Sequence, residues 1–506
     1  MATNANDLPS TPRPEYLAVA PDILLIRDQL AGTRRMHAQY KLYIPKWTAE
    51  KPDSYKKRAT SAKLYGGLAR SLSASVGKLF AKPPKLANTT PAIDAHAENI
   101  DGKGTCHDVF LKRRAEDGLA DGIAYILVDF ARVPDGVVVH GGNEAALNLR
   151  PLWCGYSRAD VLSWVTEVVD NVETTVQVTL REVAAARVGK YGVQPKLQYR
   201  RLQLVTVMPP TDRPTDPPMR VAAWVLVEEV GGADGVTEQR IDGGFFRDKQ
   251  GRFFSEIPLA VGYAGRTDAP FCAEPPLLPI AWCNLEHYRI SCDLRYYESL
   301  CAYPQPFIEG SLAPTGLITA DGAAVPPRFQ MGPNVLWHLA EGSKAGFVEL
   351  QGTTLDKLAA SVQRCKDEMG ELGASFLSKK TRGVETAEAK RIDSAAENAT
   401  LATASVGIAD MDNQAWRFHA MYEGIDSAQA PTVSLNTEFE DRSMDPALMG
   451  AYTDAVVKAG FPLREWLEAW QQGGRIGPEK DLDGLVLEIM AGQAAIEAAK
   501  QRQADA

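Results

Sequence analysis

Three cations, Lys379, Lys380 and Arg382, form a short basic cluster in this sequence. Gly373 and Gly383 lie on either side of it, and the segment is too short and too broken to form a pair of strands. It is therefore predicted to be a loop with basic charge at its tip. Ammonium and guanidinium groups contact nucleic-acid phosphates without reading the base sequence. The alternative is a surface loop that three cations keep soluble.

Lys56, Lys57, Arg58 and Lys63 form a second basic run. These residues could contact nucleic acid. However, the apolar residues of 54–80 recur at helical spacing, and a basic run on such a helix is usually its solvated face. We therefore interpret the run as a solvated helix face.

Residues suited to catalysis or metal binding occur without the patterns that those functions require. Gly155, Ser157 and Ala159 form a broken nucleophile elbow, in which the second glycine is missing. Cys283 and His287 lie four residues apart on a predicted helix and could share a metal ion. No second pair with ligand spacing accompanies them, so core packing is the better interpretation. The sequence also contains no phosphate-binding Walker A loop and no dinucleotide-binding fingerprint.

These absences predict a protein that is not an enzyme and that uses no cofactor and no metal. Asp117, Asp121 and Asp129 lack the spacing of a Ca²⁺-binding loop. A nuclease or a peptidase, the competing class, requires clustered carboxylates or a Ser/His pairing, and the sequence shows neither. A structural or interaction role is favoured.

Two predicted helices hold the basic loop. In 353–372, apolar side chains recur every three or four residues, which is typical of a helix that packs lengthwise on a neighbour. These side chains are Leu355, Leu358, Val362, Cys365, Met369 and Leu372. From 385 to 423 no proline occurs and Gly407 is the only interior glycine, so a single helix of roughly 50 Å is predicted. Its buried face is predicted to be small, with Ala399 and Ala402 at close helix contacts; the full set is Ala387, Ala395, Ala399, Ala402 and Ala409.

The rest of the chain divides into a strand-rich part and helical parts. From about 123 to 265, apolar residues alternate and turn signals separate the runs, which predicts an antiparallel sheet rather than a doubly wound one. A helix is predicted at 281–303 and a small β-rich module at 304–352. The tail is predicted to contain helices at about 445–459, 462–472 and 483–501. The predicted fold class is α+β.

Composition and charge limit the function further. At 506 residues the chain exceeds what one hydrophobic core usually supports, so two to four subdomains are expected. The net charge of −9 is dispersed, so the surface as a whole should repel nucleic acid, and any contact with it must be local. Seven cysteines without regular spacing fit a reducing cytoplasm. The sequence predicts neither a secretion signal nor a membrane-spanning segment.

Several segments resemble the portal proteins of tailed bacteriophages, in particular the branch described as domain of unknown function 4055. The matching segments are YKLYIPKWTAEKPDSYKKRATSAKLYGGLARSLSASVGKLFAKPP, LADGIAYILVDF, PPLLPIAWCNLEHYRISCDLRYYESLCAYPQPFIEG, and ELGASFL with VETAEAKRIDSAAENATLATASVGI. The resemblance covers about residues 15–500, and the last two segments are the most specific.

The resemblance implies a phage portal fold with an antiparallel-sheet wing, a helical stem, a small β-rich clip, a long central helix and a helical C-terminal crown. The implied divisions are a flexible arm at 1–14, the wing at 15–280, stem helices at 281–303 and 353–372, the clip at 304–352, the tunnel loop at 373–386, the long helix at 387–423 and the crown at 424–506. In this arrangement Lys379, Lys380 and Arg382 belong to the tunnel loop and line the DNA channel.

The resemblance also implies a homo-oligomeric ring, usually a dodecamer, at the portal vertex of the capsid. The protein would be assembled in the host bacterial cytoplasm, would reside in the virion, and would form the channel for packaging and ejection of double-stranded DNA. The implied partners are the terminase large subunit, capsid and scaffold proteins, and a head-completion or tail adaptor, but no membrane. A tail or head adaptor without a DNA channel is the alternative, although it has no need of a basic loop between stem helices.

Overall fold

The computed structural model forms two units, Met1–Thr437 and Glu438–Ala506. It describes residues 8–131, 147–169, 171–208, 218–232, 235–302, 305–310, 339–348, 353–372, 387–437, 439, 450, 453–454, 456, 462–472, 476–477 and 480–504. Among these residues no helix is both long enough and apolar enough to span a bilayer.

The first unit mixes helices with antiparallel strands. Its helices are α1 (Pro14–Leu30), α2 (Thr33–Ala38), α3 (Tyr40–Tyr43), α4 (Pro52–Ala59), α5 (Gly67–Leu79), α6 (Pro91–Ala97), α7 (His107–Asp121), α8 (Leu278–Cys301), α9 (Thr353–Glu371) and α10 (Ala387–Glu423). Its strands are β1 (Lys85–Ala87), β2 (Ile123–Phe130), β3 (Pro151–Ser157), β4 (Val161–Val169), β5 (Val172–Val188), β6 (Gly192–Val207), β7 (Met219–Gly232), β8 (Gly235–Phe245), β9 (Leu259–Tyr263), β10 (Thr267–Ala269), β11 (Cys272–Ala273), β12 (Gln305–Glu309), β13 (Lys344–Val348) and β14 (Thr432–Ser434). This composition confirms the predicted α+β class.

The predicted antiparallel sheet is confirmed. Strands β4 to β8 form a five-stranded sheet in which each strand pairs with the next one along the chain. A separate sheet has β2 at its centre, between β3 and β9. From Ile123 to Val128 strand β2 is buried throughout, because α7 and α10 both pack against it. A strand that is covered on both faces has a continuous run of apolar residues in its sequence rather than an alternating pattern.

The second unit is described mainly through two helices, α11 (Leu463–Gln472) and α12 (Leu482–Ala504). They confirm the helices predicted at 462–472 and 483–501. Leu467 of α11 is buried, and the rings of Trp466 and Trp470 lie 4.8 Å apart. Most of the helix predicted at 445–459 lies outside the described residues.

The helix predicted for 54–80 is interrupted. Residues 60–66 are not helical, and they separate α4 from α5. In this break Ser61 Oγ lies 2.8 Å from the carbonyl oxygen of Cys292 in α8. A tertiary contact thus replaces the helical pattern that the local spacing predicts.

The predicted solvated basic helix face is correct for Lys56 and Lys57 of α4, which are exposed, whereas Lys63 is exposed but lies in the non-helical break. It is wrong for Arg58, of which only 2% is exposed. Its guanidinium lies in an internal ion pair. Arg58 therefore belongs to the core, although the sequence analysis placed it in one basic run with the surface lysines.

The single long helix predicted for 385–423 is confirmed as α10, which is 37 residues long. The prediction that its small residues form the buried face is wrong for Ala399, which is exposed, and Ala402 is only half-buried. The side chains at 387 and 395 lie outside the described part. The buried apolar side chains in the described part of α10 are instead mostly large, namely Leu401, Ala404, Ile408, Met411, Ala415, Trp416, Phe418, Ala420 and Tyr422. Helical spacing identifies a helix, but the volume that must be filled decides which face is buried.

Gly407 has a packing role in α10. A Cβ at this position would overlap the carbonyl oxygen of Tyr263, at the end of β9. Only glycine therefore allows the helix to approach the sheet this closely, and this explains why α10 accepts a residue that disfavours helices by about 1 kcal/mol.

Replacing Gly407 by alanine is expected to destabilise the protein by about 1–3 kcal/mol, because α10 must move away from β9. Thermal unfolding measures the effect. The matched control is Gly77→Ala in α5, where an added Cβ meets no atom within 4 Å. The control should be neutral or slightly stabilising, since alanine is the better helix former. If both variants melt at the same temperature, the close contact between α10 and β9 is wrong.

Candidate functional site

The three cations singled out in the sequence, Lys379, Lys380 and Arg382, lie outside the described residues, as does all of 373–386. The structure does describe the elements on either side. Helix α9 ends at Glu371 and α10 begins at Ala387. The two helices predicted to hold the basic segment are therefore present, with bounds within two residues of the predicted ones.

Helices α8 and α9 pack against each other. At their contact the Cys283 thiol donates to the carbonyl oxygen of Cys365 over 3.2 Å. The six apolar side chains of 353–372 that recur every three or four residues form the predicted seam of α9, its packing face. Of these, Cys365 and Met369 are buried and Leu372 is exposed. The remaining seam residues are half-buried, namely Leu355, Leu358 and Val362. The seam is thus confirmed as a packing face in the second half of α9 and is only partly covered in the first half.

A strand pair lies between these two helices along the chain. β12 and β13 pair antiparallel, with Gln305 opposite Val348 and Glu309 opposite Lys344. They belong to the predicted clip at 304–352, of which the structure describes only 305–310 and 339–348. Helix, strand pair and helix therefore follow one another from α8 to α9.

A buried guanidinium ties α8 to the N-terminal helices. Arg58 of α4 donates to Glu50 at 2.8 and 2.9 Å and to Asp293 of α8 at 2.8 Å. Its guanidinium carbon also lies 3.9 Å from the centroid of the Trp47 ring. The hydrogen bond from Arg58 holds the pKa of Glu50 below its usual value. Because removing one partner would leave a buried charge unpaired, this pairing holds α8 in place.

Cys283 and His287 are both buried, which confirms the core-packing interpretation. The His287 ring lies 5.0 Å from the ring of Tyr65, and burial lowers its pKa to about 4. Burial raises the pKa of the Cys283 thiol to about 12. A protonated thiol whose hydrogen is already donated to the Cys365 carbonyl is not prepared to bind a metal.

The remaining sequence candidates have structural roles. Ser157 is the N-cap of a one-turn 3-10 helix (Arg158–Asp160), and its hydroxyl lies 2.6 Å from the Asp160 carboxylate. The chain then continues as β4, so the strand–turn–helix context of a nucleophile elbow is not formed. Asp117 and Asp121 both accept hydrogen bonds from Arg27.

A cluster of histidine and tryptophan rings lies beside the second half of α10, and the sequence did not indicate it. Its rings are His96, His107, Trp153, Trp416 and His419. The members come from α6, α7, β3 and α10, and no local spacing connects them. His107 Nε2 lies 2.9 Å from Asp412, which is itself fully buried. Burial alone lowers the pKa of His107, but the carboxylates of Asp412 and Asp108 together outweigh it and raise that pKa to about 10.

His96, His419 and Glu423 are the one group among the described residues whose donor atoms converge as metal ligands would, within 4.8 Å of one another. Trp153 Nε1 donates to His419 Nδ1 over 3.3 Å, so the His419 proton resides on Nε2 and is donated to His96 Nδ1 at 3.0 Å. A metal on His419 Nε2 would move that proton to Nδ1, where it would face the Trp153 N–H. Glu423 is also engaged, through an ion pair with Lys249. The arrangement therefore fits a hydrogen-bonded chain better than a metal centre.

The neutral state of His419 predicts a pH dependence. Burial, together with the charges of Arg150 and Lys249, holds its pKa well below 6.5, so the unfolded chain binds a proton that the folded protein does not. The stability that this ring contributes is present above pH 6.5 and is lost as the pH falls below that value. We expect the melting temperature to fall between about pH 7 and pH 5, and to fall less steeply in His419→Gln. Equal slopes in the wild-type protein and His419→Gln would contradict the assignment.

Residues 276–423 match the model of a family described as Domain of unknown function (DUF4055). A search of the curated proteins found no match. Among solved structures, the chain is similar to one in "Neck of empty GTA particle computed with C6 symmetry", with 14% identity, coverage of 79% of this chain and 87% of that chain, and a TM-score of 0.34. It is also similar to one in "Virion of native gene transfer agent (GTA) particle", with 12% identity, 86% and 96% coverage, and a TM-score of 0.35.

A third similarity is to a chain in "Neck of native GTA particle computed with C12 symmetry", with 11% identity, 85% and 95% coverage, and a TM-score of 0.34. Superpositions with scores this low transfer neither fold nor function to this chain. The family match confirms the predicted resemblance to the domain of unknown function 4055 over residues 276–423, the part of the chain that contains α8, α9 and α10.

Proposed function

We propose that this protein is the subunit of a portal ring, a structural assembly at one vertex of a phage capsid that forms the channel for packaging and ejection of double-stranded DNA. The observation that carries the proposal is the order of elements inside the family match. A packed pair of helices, α8 and α9, is followed by a short basic segment and then by the single long helix α10. This order fits a stem, a channel loop and a helix that connects the channel to the wing.

The charge on α9 supports the same role. Its exposed side chains include four carboxylates and two cations: Asp356, Asp367, Glu368, Glu371, Lys357 and Arg364. A channel for DNA must hold the duplex without arresting it, because each neutralised phosphate raises affinity and salt dependence. A stem surface with excess acid and three cations in one adjacent loop meets this requirement. In a ring, three cations per subunit become a circle of charge.

The buried groups support a structural rather than a catalytic role. The ionisable side chains with strongly shifted pKa values lie in ion pairs or in the packed core, as His107 and Cys283 do. The proposed partners are further copies of this chain, which form a dodecameric ring with it, the terminase large subunit, capsid and scaffold proteins, and a head-completion or tail adaptor. The proposed location is the virion.

Ring formation is the first test. Native mass measurement of the purified chain is expected to show a closed assembly of about twelve copies, since repeated heterologous contacts close into a ring. Negative-stain images should show a central hole. Monomers or dimers alone, over a range of salt and protein concentration, would contradict the proposal and favour an adaptor without a channel.

The basic loop provides the second test. Changing Lys379, Lys380 and Arg382 together to serine should leave the ring assembled while weakening the packaging or retention of DNA. Because phosphate contacts read no sequence, the loss should be equal for different DNA sequences and should shrink at high salt. Packaging and retention assays over a range of salt measure it.

The matched control removes the same amount of charge elsewhere. Lys56, Lys57 and Lys63 are exposed lysines of the N-terminal segment, and changing all three to serine should leave packaging at the wild-type level. If the loop variant packages and retains DNA as well as wild type at every salt concentration, the three loop residues have no part in the mechanism.

A further inference from the structure

The hairpin formed by β5 and β6 extends beyond the five-stranded sheet. β4 pairs with β5 only as far as Leu180, and β7 pairs with β6 only from Tyr199 onwards. Between these points β5 and β6 continue to pair with each other, up to Val188 opposite Gly192. Residues 181–198, the β5–β6 ribbon, therefore have no further strand partner among the described residues.

The outer part of the β5–β6 ribbon is exposed on both faces. Every residue from 187 to 197 is exposed. Large apolar side chains are included, with exposed fractions of 88% for Tyr191, 67% for Val183 and 63% for Val193. Antiparallel strands normally have one face packed, and an isolated two-stranded ribbon is at best marginally stable in water. Such a ribbon is expected to be covered in the assembled protein.

One face of the ribbon carries three of its large apolar residues, Val183, Val193 and Leu197, whereas Val188 lies on the other face. The register places Val183 opposite Leu197 and Arg187 opposite Val193, and residues two apart share a face. Tyr199 therefore continues this face towards the root of the ribbon. There it is buried with Leu162 and Val227, and Tyr16 of α1 packs against them. The same apolar face is thus covered by the chain itself at its root and uncovered further out.

The charge of the ribbon identifies what fits this face. Residues 183–197 contain three cations, Arg187, Lys190 and Lys196, and no carboxylate. The whole chain carries −9, so the rest of it carries −12. Lys196 lies on the other face and is ion-paired with Glu228 of the same chain, whereas Arg187 lies opposite Val193 on the apolar face. An apolar face with this cation is complementary to the acidic body of another copy of this chain. Duplex DNA would satisfy the cations but offers no apolar surface for Val183, Val193 and Leu197.

We propose that the β5–β6 ribbon docks, through the face that carries Val183, Val193 and Leu197, on a second copy of this chain. The ribbon and the surface that receives it lie on different parts of the molecule, so the contact is heterologous, which is the kind that closes rings. The inference rests on the proposed ring and assigns one of the surfaces that hold its subunits together.

The test compares two adjacent positions on opposite faces of the ribbon. Val193→Glu adds an anion to the apolar face, whereas the control Gln194→Glu adds the same charge to the other face. Sedimentation velocity on the full chain gives the concentration at which half of the chains are assembled. Val193→Glu should raise this concentration by about tenfold or more, and Gln194→Glu should change it much less. Both variants should keep the wild-type circular dichroism spectrum, because both positions are exposed.

A cross-link identifies the occupant. Benzoylphenylalanine at position 191, in a mixture of ¹⁴N- and ¹⁵N-labelled chains with duplex DNA present, should link to a peptide of a second copy. Attachment to DNA instead would overturn the proposal. Assembly of Val193→Glu at the wild-type concentration would also overturn the proposal, but it would not contradict the proposed ring. A wild-type dimer that Val193→Glu dissociates would support the ribbon contact and reject the ring, whereas a wild-type monomer at every concentration would reject both.

Discussion

The close packing of α10 against the sheet of β3, β2 and β9 is the constraint on which the rest of the first unit depends. At Gly407 the helix backbone meets the carbonyl of Tyr263 in β9, with no room for a side chain. Beyond this point Met411 and Trp416 fill the layer between helix and sheet. This contact fixes the position of α10 along its axis, because a shift of one residue would bring a side chain into the place of the glycine.

Polar groups inside this packing connect elements that are distant in sequence. The pair between His107 and Asp412 joins α7 to α10, and the Arg58 guanidinium joins α4 to α8. Buried charges are costly unless they are paired and hydrogen-bonded, so each such group permits few alternative arrangements. The residue types that enzymes use for catalysis are here engaged in holding helices in place, in agreement with a structural role.

Acidic and basic side chains predominate in different segments of the chain, and we assign different contacts to them. The described surface of α9 carries more carboxylates than cations, while three cations lie in the segment 379–382 and a further set, including Arg187, lies in the β5–β6 ribbon. In the proposed ring the first set of cations meets DNA and the second meets a neighbouring subunit. Both tasks require attraction that is local, because a uniformly basic protein would bind DNA along its whole surface.

Local sequence predicted most of the helices and strands, whereas tertiary structure interrupted the helix predicted for 54–80 and decided which residues are buried together. The apolar spacing of 353–372 and the uninterrupted run to Glu423 predicted α9 and α10 almost to the residue, because helix formation depends on neighbours three and four positions apart. The same spacing did not show that Ala399 is exposed, that Arg58 is internal, or that His107 and His419 share one cluster. Those outcomes depend on which distant elements meet, and the sequence carries no local signal for them.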